Sequence, residues 1–456
     1  MGHPLRLREM SLEPPGQEEE RPVVAHVSYL FFHSTQSFIY FYLSHFRRIR
    51  PICLTRAPES SAIESEVPRP LAGDFYLYGA SPGKSRGEKF LWSSGLLLRR
   101  MLTRLPAGLA GPLLDQVHRR VVPRLRSDTN PTRYLDWAEA ILRRRGARLI
   151  HAYFGPVGWR MLAMKRKLGL PLVVTFLGDE IAPTLAPWWW WWIRSGSEAP
   201  NWPERLNELL AGADLFLVEG PFIRQRLIDL GCPPEKVQVQ RIAIPVGRMP
   251  FPTKRERSDG KTVILFAGRF CEQKGILYAL EAVKEIWGKR QDIEFRLIGD
   301  EKLTDGRYAA RIYAFVREHR LQKCVRLLGF LNHTDYLREM RRGDIFVHPS
   351  IVDDNGVSEG GAPTTILEAQ ALGLPIVSTY HCDIPNVTLP DESALLVPER
   401  DSKAVADAIG RLLDDPEKRE KMGRAGRQYM LRSHNIDTEA PVLEGRYLAL
   451  LERVKR

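Results

Sequence analysis

The stretch from Ser350 to Thr379, SIVDDNGVSEGGAPTTILEAQALGLPIVST, constrains this chain most. An acid- and glycine-rich loop, Asp353 to Pro363, runs directly into an apolar helix from Thr364 to Leu372. Gly373 and Pro375 are placed to stop that helix. The β-branched run Ile376-Val377-Ser378-Thr379 then reads as a buried strand. Thr364 or Thr365 is expected to cap the helix. Loop amides followed by a helix N-terminus make an anion site. Glu368, in the first turns, could accept hydrogen bonds from two neighbouring hydroxyls. A phosphate at the helix start and a ribose diol beside Glu368 would fit a nucleoside diphosphate. The same residues also read as a capped connector helix carrying a solvated glutamate.

The rest of the chain repeats this alternation. At 456 residues with 44% hydrophobic content, it is long enough for two packed domains. Val23 to Ser28, a helix-like stretch with Phe38, Tyr42 and Phe46, and Pro51 to Thr55 open as β-α-β, the start of a doubly wound sheet. A strand ends at Leu149-Ile150 with His151 directly after it, and another, Leu172 to Thr175, leads to Asp179-Glu180. Ligands of parallel sheets sit at the carboxyl ends of strands, so His151, Asp179 and Glu180 are either site residues or structural ones. Leu215 to Val218 and Val237 to Ile242 complete this half. Residues 245–260 are rich in Pro, Gly and charge, as a linker is. A fresh series begins with Val263 to Ala267 and the loop GRFCEQKG. Its helix is apolar at Ile276, Leu280, Val283 and Trp287. Arg269 and Lys274, between strand end and helix start, suit a diphosphate or are plain surface charges. Further strands are expected at Ile293 to Ile298, Val325 to Leu328, Ile345 to Val347 and Ala394 to Val397. The expected architecture is α/β. It has a disordered tail (1–21), an N-terminal Rossmann-like domain (22–245), a linker (246–260) and a C-terminal Rossmann-like domain (261–430). A helix (431–456) packs back on the first domain.

Charge and cysteine content narrow the partners. The net charge of +12 and pI near 9.5 imply an anionic partner. Between Leu96 and Arg126, Arg99, Arg100, Arg104, Arg119, Arg120, Arg124 and Arg126 are opposed by Asp115 alone. That segment resembles an interfacial surface for anionic lipid, or else a pair of ordinary surface helices. Trp188 to Trp192 form an unbroken aromatic run suited to sugar faces, headgroups or a partner protein, or to a lid packed on itself. Five cysteines without a CxxC pair argue for a reducing cytoplasm and against structural zinc. No uncharged apolar run is long enough to span a membrane. The expected location is cytoplasmic, peripheral on the inner face of the cell membrane.

Taken in order, GRFCEQKG, LIGDE, VRLLGF, DIFVHPS and EGGAPTTILEAQALGLPIVST resemble the family 4 glycosyltransferases of GT-B fold, particularly bacterial enzymes of colanic-acid and exopolysaccharide type. TQSFIY (35–40), HAYFG (151–155) and TFLGDE (175–180) match more loosely. The resemblance implies two Rossmann-like domains facing a cleft and a retaining, metal-independent sugar transfer without a cofactor. The donor would be UDP- or GDP-linked and the acceptor lipid-linked or saccharide, with no role for nucleic acid. It implies that Arg269 and Lys274 hold the donor diphosphate, with Gly268 beside them. Gly329, Phe330 and Leu331 read the base, and Glu368 binds the ribose. Gly360, Gly361, Ala362, Pro363, Thr364 and Thr365 line phosphates and donor sugar. Asp179 and Glu180 contribute from the first domain.

Two departures stand out. The family separates its paired glutamates by seven residues, but positions 360–367 place eight between Glu359 and Glu368. Gly360 thus holds the usual first-glutamate position, and either the loop bulges to deliver Glu359 or that role is lost. Leu177 stands where the family often has a histidine, which makes His151 the substitute candidate. A nucleotide-sugar epimerase of the same fold, or a nucleotide-binding pseudo-enzyme on a membrane, are the alternatives.

Overall fold

The computed structural model describes residues 21–28, 37–55, 74–77, 131–181, 202–251, 260–299, 306–354 and 356–455. The arginine-rich segment, the tryptophan run, nearly all of the N-terminal tail and much of the linker lie outside them.

Seven strands form one parallel sheet. They are β1 (Val23–Ser28), β2 (Arg50–Thr55), β3 (Phe75–Leu77), β4 (Ala147–Tyr153), β5 (Leu172–Phe176), β6 (Leu215–Val218) and β7 (Val237–Val239), in the order β3-β2-β1-β4-β5-β6-β7. Their runs of Val, Ile and Leu are buried on both faces, as parallel strands require. Ala25, Ile150, Val174 and Phe216 point to one side and pack under helices Pro131–Arg144, Gly155–Leu168 and Trp202–Gly212. Val24, Leu149, Val173 and Leu217 alternate to the other side, with Tyr42 and Tyr447.

A second parallel sheet follows. It holds β8 (Thr262–Ala267), β9 (Ile293–Ile298), β10 (Val325–Gly329), β11 (Ile345–His348), β12 (Ile376–Thr379) and β13 (Ala394–Val397), in the order β10-β9-β8-β11-β12-β13. Strand order reverses between β1 and β4 in the first sheet and between β8 and β11 in the second. Those switch points open the crevices where ligands bind in such folds. Helix Ile436–Lys455 returns to the first sheet. Its Glu444 accepts the amide N–H groups of Arg47, Arg48 and Ile49 at 2.7, 2.5 and 3.1 Å. No helix among the described residues is long and apolar enough to cross a membrane.

Three local expectations change. β4 continues to Tyr153, so His151 is inside the strand rather than after it. β7 stops at Val239 instead of Ile242 because the chain turns away to meet the C-terminal helix. There Ile244 N–H donates to His434 O at 2.9 Å and Ile436 N–H to Ile244 O at 3.0 Å. The edge strand β3 went unforeseen, being three residues inside a Pro- and Gly-rich stretch.

Candidate active site

The site is built where the second sheet's strand ends meet the loop before helix Thr364–Ala371. β8 ends at Ala267, and Gly268 to Gly275 turn the chain into helix Ile276–Trp287. Gly275 has φ +63°, and a Cβ there would overlap the Pro349 carbonyl, so this turn requires glycine. It delivers Lys274, whose Nζ lies 2.6 Å from Glu359 Oε2 with both side chains largely buried. Ser350 Oγ donates to Glu359 Oε1 at 3.0 Å. His348 Nδ1 lies 2.9 Å from Ser350 Oγ. The Glu359 N–H donates to His381 Nε2 at 3.1 Å, and His381 Nδ1 lies 2.6 Å from Glu399 Oε1. Burial works against the Glu359 charge, yet Lys274 and its neighbours bring the pKa down to about 2. Burial lowers His348 to about 3, so this ring is neutral. Arg269 sits half-buried on the same loop.

The extra residue between the two glutamates therefore does not remove Glu359. The loop bulges at Gly360, φ +80°, and presents Glu359 to Lys274. Gly360 meets the first domain: a Cβ on it would overlap Gly178 Cα, and one on Gly178 would overlap Gly360 Cα. Leu177, beside that contact, packs among the buried residues along with Ala362.

The helix start differs from expectation. Pro363 is the N-cap and offers no side-chain hydrogen bond, while Thr364 and Thr365 are the first helical residues. Proline at that place has the extended backbone an N-cap needs, which shifts the boundary by one residue. The Thr365 hydroxyl is buried without a hydrogen-bond partner. At the other end, Gly373 (φ +73°) donates to Gln370 O at 2.9 Å and Leu374 to Ala369 O at 2.9 Å. That is the Schellman pattern the sequence signals.

Glu368 is buried, not solvated. Tyr336 Oη donates to its Oε2 at 2.7 Å, and His333 Nε2 lies 3.3 Å from its Oε1. The Glu368 carboxylate draws the His333 pKa upward. Both partners come from helix His333–Arg341, which the turn Gly329-Phe330-Leu331 leads into. Gly329 has φ +67°, and Phe330 is 54% exposed.

First-domain candidates divide. Glu180 is buried and ties off β5, accepting Leu177 N–H at 3.1 Å and Gly155 N–H at 3.4 Å, while its carbonyl takes Trp202 Nε1–H at 3.0 Å. Asp179 opens the short turn Asp179–Ile181. His151 is not brought to the cluster. It is sealed inside the first domain with Nδ1 2.6 Å from Tyr447 Oη and Nε2 2.7 Å from Thr175 Oγ1. Burial holds it well below the usual histidine pKa. A side chain so enclosed cannot reach a donor sugar, which corrects its expected catalytic role.

Two residues without a sequence-based expectation complete the contact. Asp383 Oδ1 accepts the Phe222 N–H at 2.9 Å and Oδ2 the Ile223 N–H at 3.4 Å. It thereby supplies the cap that helix Pro221–Asp229 lacks from its own Gly220. Glu219, directly after β6, touches Gly361 and accepts the Ala362 N–H. The rule that pointed to His151 and Asp179, a polar residue at a strand's carboxyl end, also selects Glu219.

Known proteins resemble both halves of the chain. Residues 250–429 match the family model described as glycosyl transferases group 1, and residues 96–242 match the glycosyl transferase 4-like domain. WcaL of Escherichia coli K12, whose name assigns it to colanic acid biosynthesis, is 29% identical over 262 residues, 57% of this chain and 59% of that protein. The amylovoran biosynthesis glycosyltransferase AmsK of Erwinia amylovora is 32% identical over 204 residues, 45% of this chain and 48% of its own. The matched region thus spans about half to three-fifths of these relatives. A Rickettsia africae glycosyltransferase structure superposes with TM-score 0.65 at 14% identity, covering 96% of this chain and 99% of that one. The structure of Anabaena HepE with UDP and glucose gives TM-score 0.66 at 13% identity, covering 93% and 98%. At such identities the likeness concerns the fold, which is that of these two-domain α/β glycosyltransferases.

Proposed function

We propose that this chain, which belongs to the glycosyltransferases joining a 4-like domain to a group 1 domain, transfers a glycosyl group from a nucleoside diphosphate-sugar to a saccharide or lipid-linked acceptor. The setting is cell-surface polysaccharide synthesis. Residues 22–245 form the acceptor half and 261–430 the donor half, joined by 246–260. One observation carries the reading: an uncapped helix N-terminus, with the Thr365 hydroxyl buried and unpartnered, stands one short loop from the buried Lys274–Glu359 pair. Free amides, a hydroxyl and an ammonium are donors that suit a diphosphate.

In this reading the helix dipole, Lys274 and Arg269 stabilise charge growing on the leaving diphosphate, without a metal. Lys274 has three N–H groups, so it can keep Glu359 and also meet a phosphate oxygen. Tyr336 fixes one oxygen of Glu368, leaving lone pairs for the ribose hydroxyls. The acceptor hydroxyl attacks from the face the diphosphate leaves, its proton passing to the leaving phosphate, so configuration is retained. The basic segment 96–126 suits peripheral attachment to an anionic membrane at the cytoplasmic face.

Thermal unfolding with a panel of nucleoside diphosphates and UDP- and GDP-sugars tests this. A true donor raises Tm with concentration by mass action. Glu368→Ala weakens that donor by about 1–3 kcal/mol, the loss of a charged hydrogen-bond acceptor. Unchanged affinity in the folded variant removes the ribose role. No shift with any nucleotide removes the donor site.

A further inference from the structure

The cleft is bridged by a residue that the transfer chemistry above does not use. Glu219 belongs to the first domain, and its carboxyl lies against Gly361 so closely that a Cβ on that glycine would overlap Oε2. The Ala362 N–H donates to the same carboxyl. Three further acids face it: Asp383 from the turn before helix Ile384–Val387, Glu180 from the turn Asp179–Ile181, and Glu359 from the loop itself. Each of the three has compensation. Lys274 neutralises Glu359. The Phe222 and Ile223 amides and Asn386 Nδ2 hold Asp383. The Leu177 amide holds Glu180.

We propose that Glu219 is a positioning residue, whose carboxyl clamps the Gly361-Ala362 turn across the cleft and so sets the loop that the transferase reading gives to the donor. The clamp rests on that reading for its consequence but not for its geometry. Burial, then Asp383 and Glu180, push the Glu219 pKa well above the ordinary carboxyl range, so the closed cleft holds it as the neutral acid. Below the ordinary range both open and closed forms are protonated, and closure is unaffected by pH. Above it the closed form must retain a proton that the open form has lost. Closure therefore weakens as pH rises towards the raised pKa. Glutamine keeps the carbonyl that accepts the Ala362 N–H and cannot ionise.

The test compares wild type, Glu219→Gln and Glu219→Ala by kcat and KM from pH 6 to 9, with solution X-ray scattering of the donor-free proteins. Wild-type kcat is expected to decline with rising pH, and Glu219→Gln to lose that decline while keeping most of the pH 6 turnover. Glu219→Ala is expected to lie about tenfold below wild type at pH 6, within the roughly hundredfold that misplacing a reacting group can cost, and to show no decline as pH rises, because alanine cannot ionise. A parallel decline in wild type and Glu219→Gln, or an alanine variant equal to wild type at pH 6, overturns the clamp. If wild type transfers no sugar, the transferase reading fails separately and scattering decides. Wild type expanding towards pH 9 while Glu219→Gln stays compact supports the clamp, and identical curves overturn it.

Discussion

Lys274→Ala is expected to lower turnover at saturating donor by at least about tenfold, the scale of one preorganised electrostatic contact with developing charge. Negative charge grows on the leaving diphosphate as the glycosidic bond breaks. A contact that strengthens along that path acts on kcat, whereas one made equally throughout acts on KM. The Glu359 pairing complicates this variant, because removing one partner of a buried ion pair leaves the other uncompensated, at about 3–5 kcal/mol. Stability must therefore be separated from chemistry. Lys274→Met combined with Glu359→Gln removes both charges and should recover most of the melting temperature, yet not the turnover. Arg269→Ala should resemble Lys274→Ala, and the two together should lose less than the sum because both act on one group. Full turnover in folded Lys274→Ala would place its charge outside the chemistry. Only an absence of turnover in the wild type itself would favour the pseudo-enzyme alternative.

Gly360→Ala is expected to abolish most activity, by about a hundredfold in kcat/KM, with a much smaller effect on stability. The new Cβ meets Gly178 Cα across the cleft, and neither backbone can retreat as a flexible side chain could. Gly360 also has φ +80°, where a side chain costs about 1–2 kcal/mol. The larger effect comes from closure: a gap of one methyl group misplaces Glu359 and the 361–363 turn, and misplacement by about 1 Å costs on the order of a hundredfold in rate. Gly178→Ala, φ +107°, should behave alike from the other side. Gly410→Ala, in helix Ser402–Asp414 with open space around it, is the control, neutral or slightly stabilising. Gly360→Ala with wild-type kcat/KM would mean that the contact plays no part in turnover.

Much of this was legible in the sequence, for physical reasons. Parallel strands buried on both faces appear as nearly unbroken apolar runs, so β5, β6 and β8 stand out, and Gly373 marks a helix end that only a left-handed residue makes well. The Lys274 turn was legible as a turn, because Gly268 and Gly275 bracket a short polar loop between a strand and a helix. What escaped depends on distance in space. The extra residue between Glu359 and Glu368 allowed for a bulge, but nothing local to it indicates that the loop turns at Gly360 against Gly178, some 180 positions away in the chain. Nothing local to Asp383 indicates that it caps Pro221–Asp229. Tyr336, set beside Glu368, was hidden in a helix of predominantly polar residues. His151 was misplaced because a strand's last residue is poorly marked in sequence, and two further residues of β4 turn its end into its interior.

The central claim is sugar transfer from a nucleotide donor, driven by protein charges. It is tested most directly by acceptor-dependent release of nucleoside diphosphate in the presence of EDTA, with the anomeric configuration of the product read by NMR. Release is expected to require a saccharide or lipid-linked acceptor, to survive chelation and to yield a product with the donor's configuration. Release abolished by EDTA contradicts the charge assignment, and an inverted product contradicts the same-face attack. Diphosphate release that is indifferent to every acceptor, or no release from any UDP- or GDP-sugar, contradicts transfer itself.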